Sequence, residues 1–317
     1  MKNKFASFTE TASSRGLSTA ILAMLRLFRT KLETGILGRR FLQRRIHDWT
    51  MMLDSQDMGL SRSLLLFGTR EVDHKIMLEH LVKPGMRVFD VGGNLGYYPL
   101  MELNLLKGTG ELIVVEPFPD NIKLLKENLV LNGFANTPVR QAAVSNQKGR
   151  RSFHLSSQSN LGTFHPEGTG SETLTGKTIE VETTTIPALA EEFGAPDLIR
   201  MDVEGHEVEV IDGMLDEIKA GNLAPSIIFE THLTRYGGDH DFSAVLERLF
   251  SLGYKVTQLS SSSESGTERL TSLGYKAGKR IATDGIHRTL FDGISNEDAI
   301  SIICKTGGSR TVLLQKE

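Results

Sequence analysis

The sequence predicts an α/β fold in which short strands alternate with helices around a mostly parallel sheet. From residue 70 onward, short apolar runs alternate with segments of helical apolar periodicity, which is the pattern of βαβ units. Hydrophobic residues make up 39% and charged residues 24% of the 317 residues, and 31 glycines stand against 9 prolines. This composition is typical of a globular protein with many tight turns, and it excludes disordered, collagen-like and membrane-bundle chains.

The predicted strands are short apolar runs that end at polar or glycine residues. In chain order they are Met86–Val91, Glu111–Glu116, Val139–Val144, Asp197–Val203, Ser226–Glu230, Tyr254–Leu259 and Arg310–Leu314. The helices predicted between them are His74–Val82, Tyr97–Leu106, Pro119–Asn132, His206–Ala220 and Phe242–Leu252. Two polar stretches interrupt the alternation, and we predict an exposed hairpin-like insertion with a loop over residues 156–178 and a long loop or lid over 260–287.

Residues 1–69 form a basic arm in this prediction, and residues 70–317 form the main domain. The first 50 residues carry ten basic and three acidic side chains, although the whole chain has a net charge of −3. The apolar residues that recur at helical spacing are Leu17, Ile21, Leu25, Phe28, Leu32 and Ile36. We expect a helix whose apolar stripe packs on the main domain or on a second subunit of a homodimer. Peripheral contact with an anionic membrane surface is the alternative.

Composition also limits the partners and the compartment. The acidic remainder of the chain argues against a nucleic-acid groove across the main domain. The single cysteine, Cys304, excludes an intramolecular disulfide and a multi-cysteine zinc site. A reducing, cytoplasmic compartment is therefore expected. No apolar run reaches the ~18 residues of a membrane-spanning helix. A secretory signal peptide is not recognisable, and the Arg-rich, acid-poor arm leaves a mitochondrial-type presequence as a minor alternative.

A glycine-rich turn joins the first predicted strand of the main domain to the next helix. From Asp90 to Gly96 it reads Asp-Val-Gly-Gly-Asn-Leu-Gly, and such a turn at a strand's carboxyl end lets a ligand approach the backbone. The spacing differs from the Gly-x-Gly-x-x-Gly of dinucleotide sites, and no P-loop Gly-Lys-Ser/Thr follows. A carboxylate at the turn disfavours a pyrophosphate and favours a sulfonium, which predicts S-adenosylmethionine. Glu116, at the end of the next strand, is suited to both ribose hydroxyls, a feature that NAD enzymes share.

Polar side chains also follow the fourth and fifth predicted strands. Asp202 and Glu204 share one face if their strand continues, as do Glu230 and His232 on the next strand. We expect these four groups to converge at one sheet edge and to position and deprotonate a substrate hydroxyl, with His232 suited to general-base chemistry. A divalent-metal site made of the same four residues is an alternative that no spaced ligand motif supports. Glu207 is expected only to begin the next helix, where the dipole favours an acid.

Three segments together resemble the FkbM-type S-adenosylmethionine-dependent methyltransferases. They are Val-Phe-Asp-Val-Gly-Gly-Asn-Leu-Gly-Tyr-Tyr at 88–98, Glu-Pro-Phe-Pro-Asp-Asn at 116–121 and Asp-Leu-Ile-Arg-Met-Asp-Val-Glu-Gly-His-Glu at 197–207. Their order and spacing match over residues 70–260, and the Asp-Val-Glu-Gly-x-Glu stretch is the most specific part. The one departure is Gly93, where the family often has alanine.

The resemblance implies a class I methyltransferase fold, which is a Rossmann-like, seven-stranded, mostly parallel sheet. It implies methyl transfer to a hydroxyl of a small molecule, sugar, glycolipid or polyketide-type metabolite, with S-adenosylmethionine as cofactor. The cofactor positions it assigns are Asp90, Gly92, Asn94 and Gly96 for the methionine end, Glu116 for the ribose, and Gln141, Ala142 and Ala143 for the adenine. It places Asp202 and Glu204 at the transfer site, and these two together with His232 are the predicted catalytic residues.

Other functional classes stay open at the level of sequence. An NAD-dependent oxidoreductase would share Glu116 but lacks its glycine motif here. A non-catalytic or scaffold protein on the same fold would not need the acids at 90, 116, 202 and 204, which are all present. An RNA or protein methyltransferase is disfavoured by the acidic domain and by the absence of an Asn/Asp-Pro-Pro-aromatic tetrapeptide. A likeness of fold does not by itself establish activity.

Overall fold

A sheet of nine strands forms the centre of the protein. A computed structural model describes residues 9, 11–159, 161–166, 173–238 and 240–316. The strands are β1 (Phe41–Ile46), β2 (Trp49–Asp54), β3 (Arg87–Val91), β4 (Glu111–Val115), β5 (Val139–Arg140), β6 (Ala143–Val144), β7 (Gly149–Ser156), β8 (Leu174–Thr184), β9 (Leu198–Met201), β10 (Ser226–Glu230), β11 (Tyr254–Ser261), β12 (Arg280–Thr283), β13 (Ile286–Ile294) and β14 (Ser309–Lys316).

The helices lie mainly between these strands. They are α1 (Leu17–Gly35), α2 (Leu60–Phe67), α3 (Val72–Leu81), α4 (Tyr97–Leu106), α5 (Pro119–Leu131), α6 (Ile186–Phe193), α7 (Glu207–Asp212), α8 (Leu215–Ala220), α9 (Phe242–Ser251), α10 (Glu264–Ser272) and α11 (Asn296–Ile300). Most of the predicted helices are confirmed within one or two residues. The predicted helix 206–220 is two short helices, and α6 and α11 were not predicted.

The sheet has the order β12-β13-β11-β14-β10-β9-β3-β4-β5. The strands from β10 to β5 are parallel, whereas β14, β11, β13 and β12 pair antiparallel with their neighbours. The prediction of an α/β fold with a mostly parallel core is confirmed, but the count of seven strands is wrong. The order reverses on the two sides of β3, and ligands of open α/β sheets bind at such a switch point.

The two additional strands begin within the stretch predicted as a loop or lid over 260–287. β11 runs to Ser261, α10 follows, and β12 and β13 form a hairpin around Asp284 and Gly285. Both turn residues have positive φ, at 50° and 85°, as a two-residue type I′ turn requires. The loop prediction is therefore wrong here, because an Asp-Gly hairpin turn was hidden inside a Ser-, Gly- and Lys-rich stretch.

Apolar side chains on both faces of the sheet are buried. In β3, Phe89 and Val91 belong to one core and Val88 to the other, as the alternation of strand side chains demands. The first core includes residues of α7, α8 and α9, and the second includes residues of α3, α4 and α5. Helices thus cover both faces, so polar groups of the parallel strands reach solvent only at the strand ends.

The second half of the predicted arm belongs to the folded body. Residues 41–54 form the antiparallel hairpin β1–β2, which corrects the expectation of a helical arm up to residue 69. Two amides of α5 clamp β2: Asn128 contacts the backbone N–H and carbonyl of Met52, and Asn132 those of Thr50. The boundary between arm and main domain at residue 69 stays a prediction.

Helix α1 turns its apolar stripe outward. The exposed fractions along the stripe are 62% for Leu17, 59% for Leu25, 68% for Phe28 and 75% for Ile36, and only Ala20 of α1 is buried. The prediction that this stripe packs on the chain's own domain is therefore wrong. Contact with a second subunit or a membrane surface stays a prediction. Among the described residues, no helix combines the length and apolar character needed to cross a membrane.

A small second sheet forms beside the carboxyl ends of the main strands. β6, β8 and β7 pair in that order, with β7 and β8 antiparallel. The predicted strand Val139–Val144 is thereby split, since β5 pairs with β4 and β6 joins the second sheet. The hairpin-like insertion is confirmed, while residues 160 and 167–172 of its connection lie outside the described part of the chain.

Candidate active site

The glycine turn places backbone at the carboxyl end of β3. Gly92 has φ +86°, and a Cβ there would lie 2.2 Å from the carbonyl oxygen of Asp202. At Gly93 a Cβ would lie 2.2 Å from Val114 Cγ1, and Asn94 itself has φ 50°. The turn therefore packs so closely against β4 and the segment after β9 that only glycine fits at 92 and 93.

A cavity opens above this turn, between the main sheet and the β7–β8 hairpin. Its empty volume is about 1000 Å³, including space open to solvent. Its walls include Gly92, Asn94, Glu116, Ala142, Asp202 and Glu204. Of the positions assigned to the cofactor, Asp90, Gly96 and Gln141 do not reach these walls.

Glu116 stands at the end of β4 and anchors the turn. Its Oε2 accepts a hydrogen bond from the Asn94 backbone N–H at 2.9 Å, and its Oε1 accepts from the Phe118 N–H at 3.0 Å and from Asn121 Nδ2 at 3.1 Å. Burial raises the pKa of the Glu116 carboxyl to about 7, against the effect of these donors. Each carboxylate oxygen has two lone pairs, so Oε2, which accepts only one of these bonds, keeps acceptor capacity for a ligand's hydroxyl.

Asp90 lies beneath the turn rather than beside a ligand. It is fully buried, and its Oδ1 accepts from Arg200 Nη1 at 3.1 Å. Asp90 and Arg200 are register partners on β3 and β9, so the sheet itself creates the pair. Burial raises the pKa of Asp90 although Arg200 counteracts it. The Arg200 guanidinium also lies 3.9 Å over the Tyr98 ring and reaches the cavity wall.

The connection after β7 covers the cavity. The Ser159 carbonyl accepts hydrogen bonds from Asn94 Nδ2 at 3.0 Å and Asn121 Nδ2 at 3.1 Å. On its other side, Ser159 donates to Asp57 from its backbone N–H and from its hydroxyl. Phe164, further along, also lines the cavity. The insertion predicted as an exposed loop therefore forms part of the site.

Four predicted residues converge beside the cavity, and two of them, Asp202 and Glu204, line it. His232 Nε2 lies 3.8 Å from Asp202 Oδ1, 3.6 Å from Glu204 Oε2 and 3.5 Å from Glu230 Oε1. Its Nδ1 is 3.0 Å from Glu207 Oε1. Within the described residues, His232 Nε2 and Asp202 Oδ1 are buried without a hydrogen-bond partner. The ring is thus held by Glu207 and presents Nε2 to three carboxylates.

Two carboxyls of this cluster have pKa values close to neutral pH. Burial alone would lower the pKa of His232, but Glu207 and Glu204 outweigh it and raise that pKa well above its ordinary value. Burial raises the pKa of Glu204 to about 7 and that of Glu230 to about 8. The imidazolium and one carboxylate can therefore coexist, with Glu204 able to exchange a proton at neutral pH.

A divalent metal at this cluster stays an alternative. Asp202, Glu204 and His232 offer ligand atoms that all lie within 4.8 Å of one another, and oxygen with imidazole donors suits several divalent ions.

Glu207 and Arg200 are residues whose part in the site the sequence did not predict. Glu207 does begin α7, as expected, but it is fully buried and also accepts from the Tyr236 hydroxyl at 2.9 Å. Arg200 interrupts an otherwise apolar strand, and a lone arginine in such a run signals a buried ion pair. This feature of the sequence could have predicted the buried Asp90–Arg200 pair.

Comparisons with known proteins agree with this geometry. The model of the methyltransferase FkbM domain matches residues 90–256, more than half of the chain. Hexuronic acid methyltransferase AglP of Haloferax volcanii is 30% identical over 149 residues, which are 46% of this chain and 55% of that protein. The chain therefore matches only about half the length of this curated relative.

Two solved structures are also similar to parts of this chain. A methyltransferase FkbM from Methylobacillus flagellatus is 14% identical, with a TM-score of 0.37, over 73% of this chain and 53% of that one. A SAM-dependent methyltransferase from Agrobacterium tumefaciens is 12% identical, with a TM-score of 0.43, over 88% and 70%. The family match excludes the oxidoreductase alternative. On the strength of residues 90–256, the chain belongs to the FkbM methyltransferase family.

Proposed function

We propose that this methyltransferase transfers a methyl group from S-adenosylmethionine to a hydroxyl of a sugar or sugar-bearing molecule. One observation carries the proposal: the cavity beside the glycine turn ends at two carboxylates, Asp202 and Glu204, which lie next to His232. A nucleoside-binding end and a proton-accepting end thus share one cavity.

The residues above the turn fit the cofactor by their chemistry. Glu116 and Asn94 supply polar groups of the kind that bind ribose hydroxyls, and Phe118, Ala142 and Val144 form an apolar wall suited to a purine. No phosphate-binding cation motif is present at the turn, which agrees with a cofactor that lacks phosphate. When bound, S-adenosylmethionine supplies an electrophilic methyl group, and alignment of the acceptor is then the main task of the enzyme.

Glu204 is the residue we assign to accept the hydroxyl proton. It lines the cavity, whereas His232 does not, and its pKa of about 7 matches a general base at neutral pH. In the transfer, the hydroxyl oxygen forms its bond to the methyl carbon as the carbon–sulfur bond breaks, and the proton passes to Glu204. His232 is a positioning residue, because its positive charge lowers the pKa of Glu204. Asp202, the third predicted catalytic residue, would orient the acceptor.

The proposed class of methyl acceptor rests on the matched relative and on the carboxylates that line the cavity. The AglP protein is named a hexuronic acid methyltransferase, and carboxylates are good acceptors for the several hydroxyls of a sugar ring. These observations support a sugar hydroxyl over a phenol.

Calorimetric titration with S-adenosylhomocysteine tests the cofactor half of the proposal. We expect binding by the purified protein and a loss of about tenfold or more in affinity for Glu116→Ala. A folded protein that binds neither S-adenosylmethionine nor S-adenosylhomocysteine would contradict it. Transfer of a tritiated methyl group to free glucuronate, glucose and catechol tests the acceptor half, and methylation of catechol alone would contradict the sugar assignment.

Substitutions at the far end of the cavity test the proton acceptor. Glu204→Gln should lower kcat by about 10²-fold or more while the affinity for S-adenosylhomocysteine stays within about threefold. His232→Gln should move the pH profile of kcat to higher pH, since the pKa of Glu204 rises when the neighbouring cation is lost. Glu191→Gln, on the exposed side of α6, is the matched control with unchanged kcat. An unchanged kcat in Glu204→Gln would remove this residue from the mechanism.

A further inference from the structure

A second cluster of ligand-type side chains lies beside the cavity and takes no part in the proposed transfer. His165 follows β7 on the covering connection, and His206 and Glu209 lie at the start of α7. His165 Nε2 is 3.1 Å from His206 Nδ1 and 3.7 Å from Glu209 Oε1, and His206 Nδ1 is 3.1 Å from Glu209 Oε2. One atom from each residue lies within 4.8 Å of the others.

The hydrogen bond of the outward-facing ring nitrogen of His206 bears on whether its inward-facing nitrogen carries a proton. His206 Nε2 lies 3.1 Å from Ser145 Oγ, and Arg151 also directs a guanidinium N–H to that oxygen. If His206 donates there, its Nδ1 carries a lone pair and faces two further ligand atoms, a ring nitrogen and a carboxylate oxygen. Such a convergence of acceptors is satisfied by a shared proton or by a metal cation between them, and ligating histidines commonly donate their other N–H outward in this way.

His240 lies at the edge of the cluster, with one ring nitrogen facing away from the cluster and the other facing Glu209. Its Nδ1 lies 2.7 Å from the Arg235 carbonyl, which only accepts, so its Nε2 is the inner atom. That Nε2 is 3.0 Å from Glu209 Oε2, and the ring stacks on His165 with centroids 4.0 Å apart. Three imidazoles therefore surround one carboxylate, each with an inner nitrogen turned toward it.

The distances agree with a small tetrahedral ion. Bonds of about 2.0–2.2 Å at the tetrahedral angle separate neighbouring ligand atoms by roughly 3.3–3.6 Å, close to the 3.1 Å that separates His206 Nδ1 from both His165 Nε2 and Glu209 Oε2. We propose that His165, His206 and Glu209 bind a divalent transition-metal ion such as Zn²⁺, with the fourth position filled by water. Mixed imidazole and carboxylate ligands favour zinc over magnesium or calcium.

The ion would hold the covering connection on the main sheet. His165 belongs to the insertion, whereas His206 and Glu209 belong to the segment after β9. Phe164 stacks on the His206 ring at 4.6 Å between centroids, and both residues line the cavity. Loss of the ion should therefore loosen one wall of the cavity without removing Glu204 or the glycine turn.

Metal binding by the full-length protein tests the site directly. Protein stripped with chelator and titrated with Zn²⁺ should bind one equivalent at this site and gain thermal stability, as any ligand of the native state provides. Co²⁺ should bind with the visible absorption of a tetrahedral site. His165→Gln and Glu209→Gln should each weaken binding by about tenfold or more. His287→Gln, in the half-exposed His287–Glu264 pair, is the matched control and should bind as the unaltered protein does.

The acidic cluster provides the competing location, and His232→Gln separates the two. Retained Zn²⁺ affinity in His232→Gln with loss in His165→Gln and Glu209→Gln supports the proposal. Loss of Zn²⁺ affinity in His232→Gln alone would assign the ion to the cluster of Asp202 and Glu204. No binding of Zn²⁺ or Co²⁺ would leave shared protons as the explanation of the short distances. Either result would overturn the proposed metal site. Circular dichroism of the metal-free variants checks that they fold. Because the readout is metal binding, failure of this proposal leaves the methyl-transfer proposal untouched.

Discussion

Ionisation of Glu116 should make the protein less stable as the pH rises through neutrality. Burial raises the pKa of this carboxyl to about 7, from an ordinary 4.5. Between these two values the native state holds a proton that the unfolded chain has released, so the free energy of unfolding falls with increasing pH. This contribution is complete below the unfolded pKa and is lost by the time the pH exceeds the folded one.

The size of the effect follows from the pKa shift. At about 1.36 kcal/mol per unit, a rise from 4.5 to about 7 corresponds to about 3 kcal/mol over the full range. Between about pH 5 and about pH 8, about 2.5 kcal/mol of this should be observed. Glu116→Gln removes the titrating group while nearly preserving its size. The amide leaves one of the N–H donors of Asn94, Phe118 or Asn121 unpaired, at a cost of about 1–3 kcal/mol that does not depend on pH.

Urea unfolding followed by circular dichroism measures this, with cofactor-free protein at constant ionic strength. Other buried acids titrate in both proteins, so the difference in slope between Glu116→Gln and the unaltered protein isolates Glu116. Glu127→Gln, an exposed residue of α5, controls for the loss of one carboxyl and should leave the slope unchanged. Equal slopes in the Glu116 variant and the unaltered protein would refute the reasoning, because Glu116 would then be ionised throughout.

Two further changes test the packing that shapes the site. Gly92→Ala should cost more than about 3 kcal/mol, because its Cβ would lie 2.2 Å from the Asp202 carbonyl oxygen. Gly85→Ala, with φ +89° but nothing within 4 Å of a Cβ, should cost only the left-handed penalty of about 1–2 kcal/mol; equal costs in denaturant unfolding would contradict the packing argument. Arg200→Met should cost about 3–5 kcal/mol, since Asp90 would stay buried without its cation. A loss below about 1 kcal/mol would show that Asp90 is not charged in the native state.

Local sequence signals predicted most of the parallel core. Strands such as Ser226–Glu230 and helices such as Tyr97–Leu106 are found with the predicted bounds, because apolar periodicity and glycine turns act within a few residues. The hairpin β12–β13 was missed because β12 has only four residues and its neighbours are polar. The split of Val139–Val144 was missed because two sheets compete for adjacent residues, and only tertiary pairing decides between them.

The candidate site was predicted in part for the same reason. Asp202, Glu204, Glu230 and His232 were expected to meet, since carboxyl ends of neighbouring parallel strands share one edge, and they do. The sequence did not show that Glu207 turns inward to hold His232, because the direction of a side chain at a helix start depends on what packs against it.

The sequence by itself determined the alternation of strands and helices, the glycine turn and the acids that follow the strands, because these depend on short-range spacing. Tertiary structure decided that Asp90 pairs with Arg200 beneath the turn and that an insertion covers the cavity. It also decided that His165 meets His206 and Glu209. Contacts between residues 40 or more positions apart arise from strand order and sheet packing, and no local pattern encodes them.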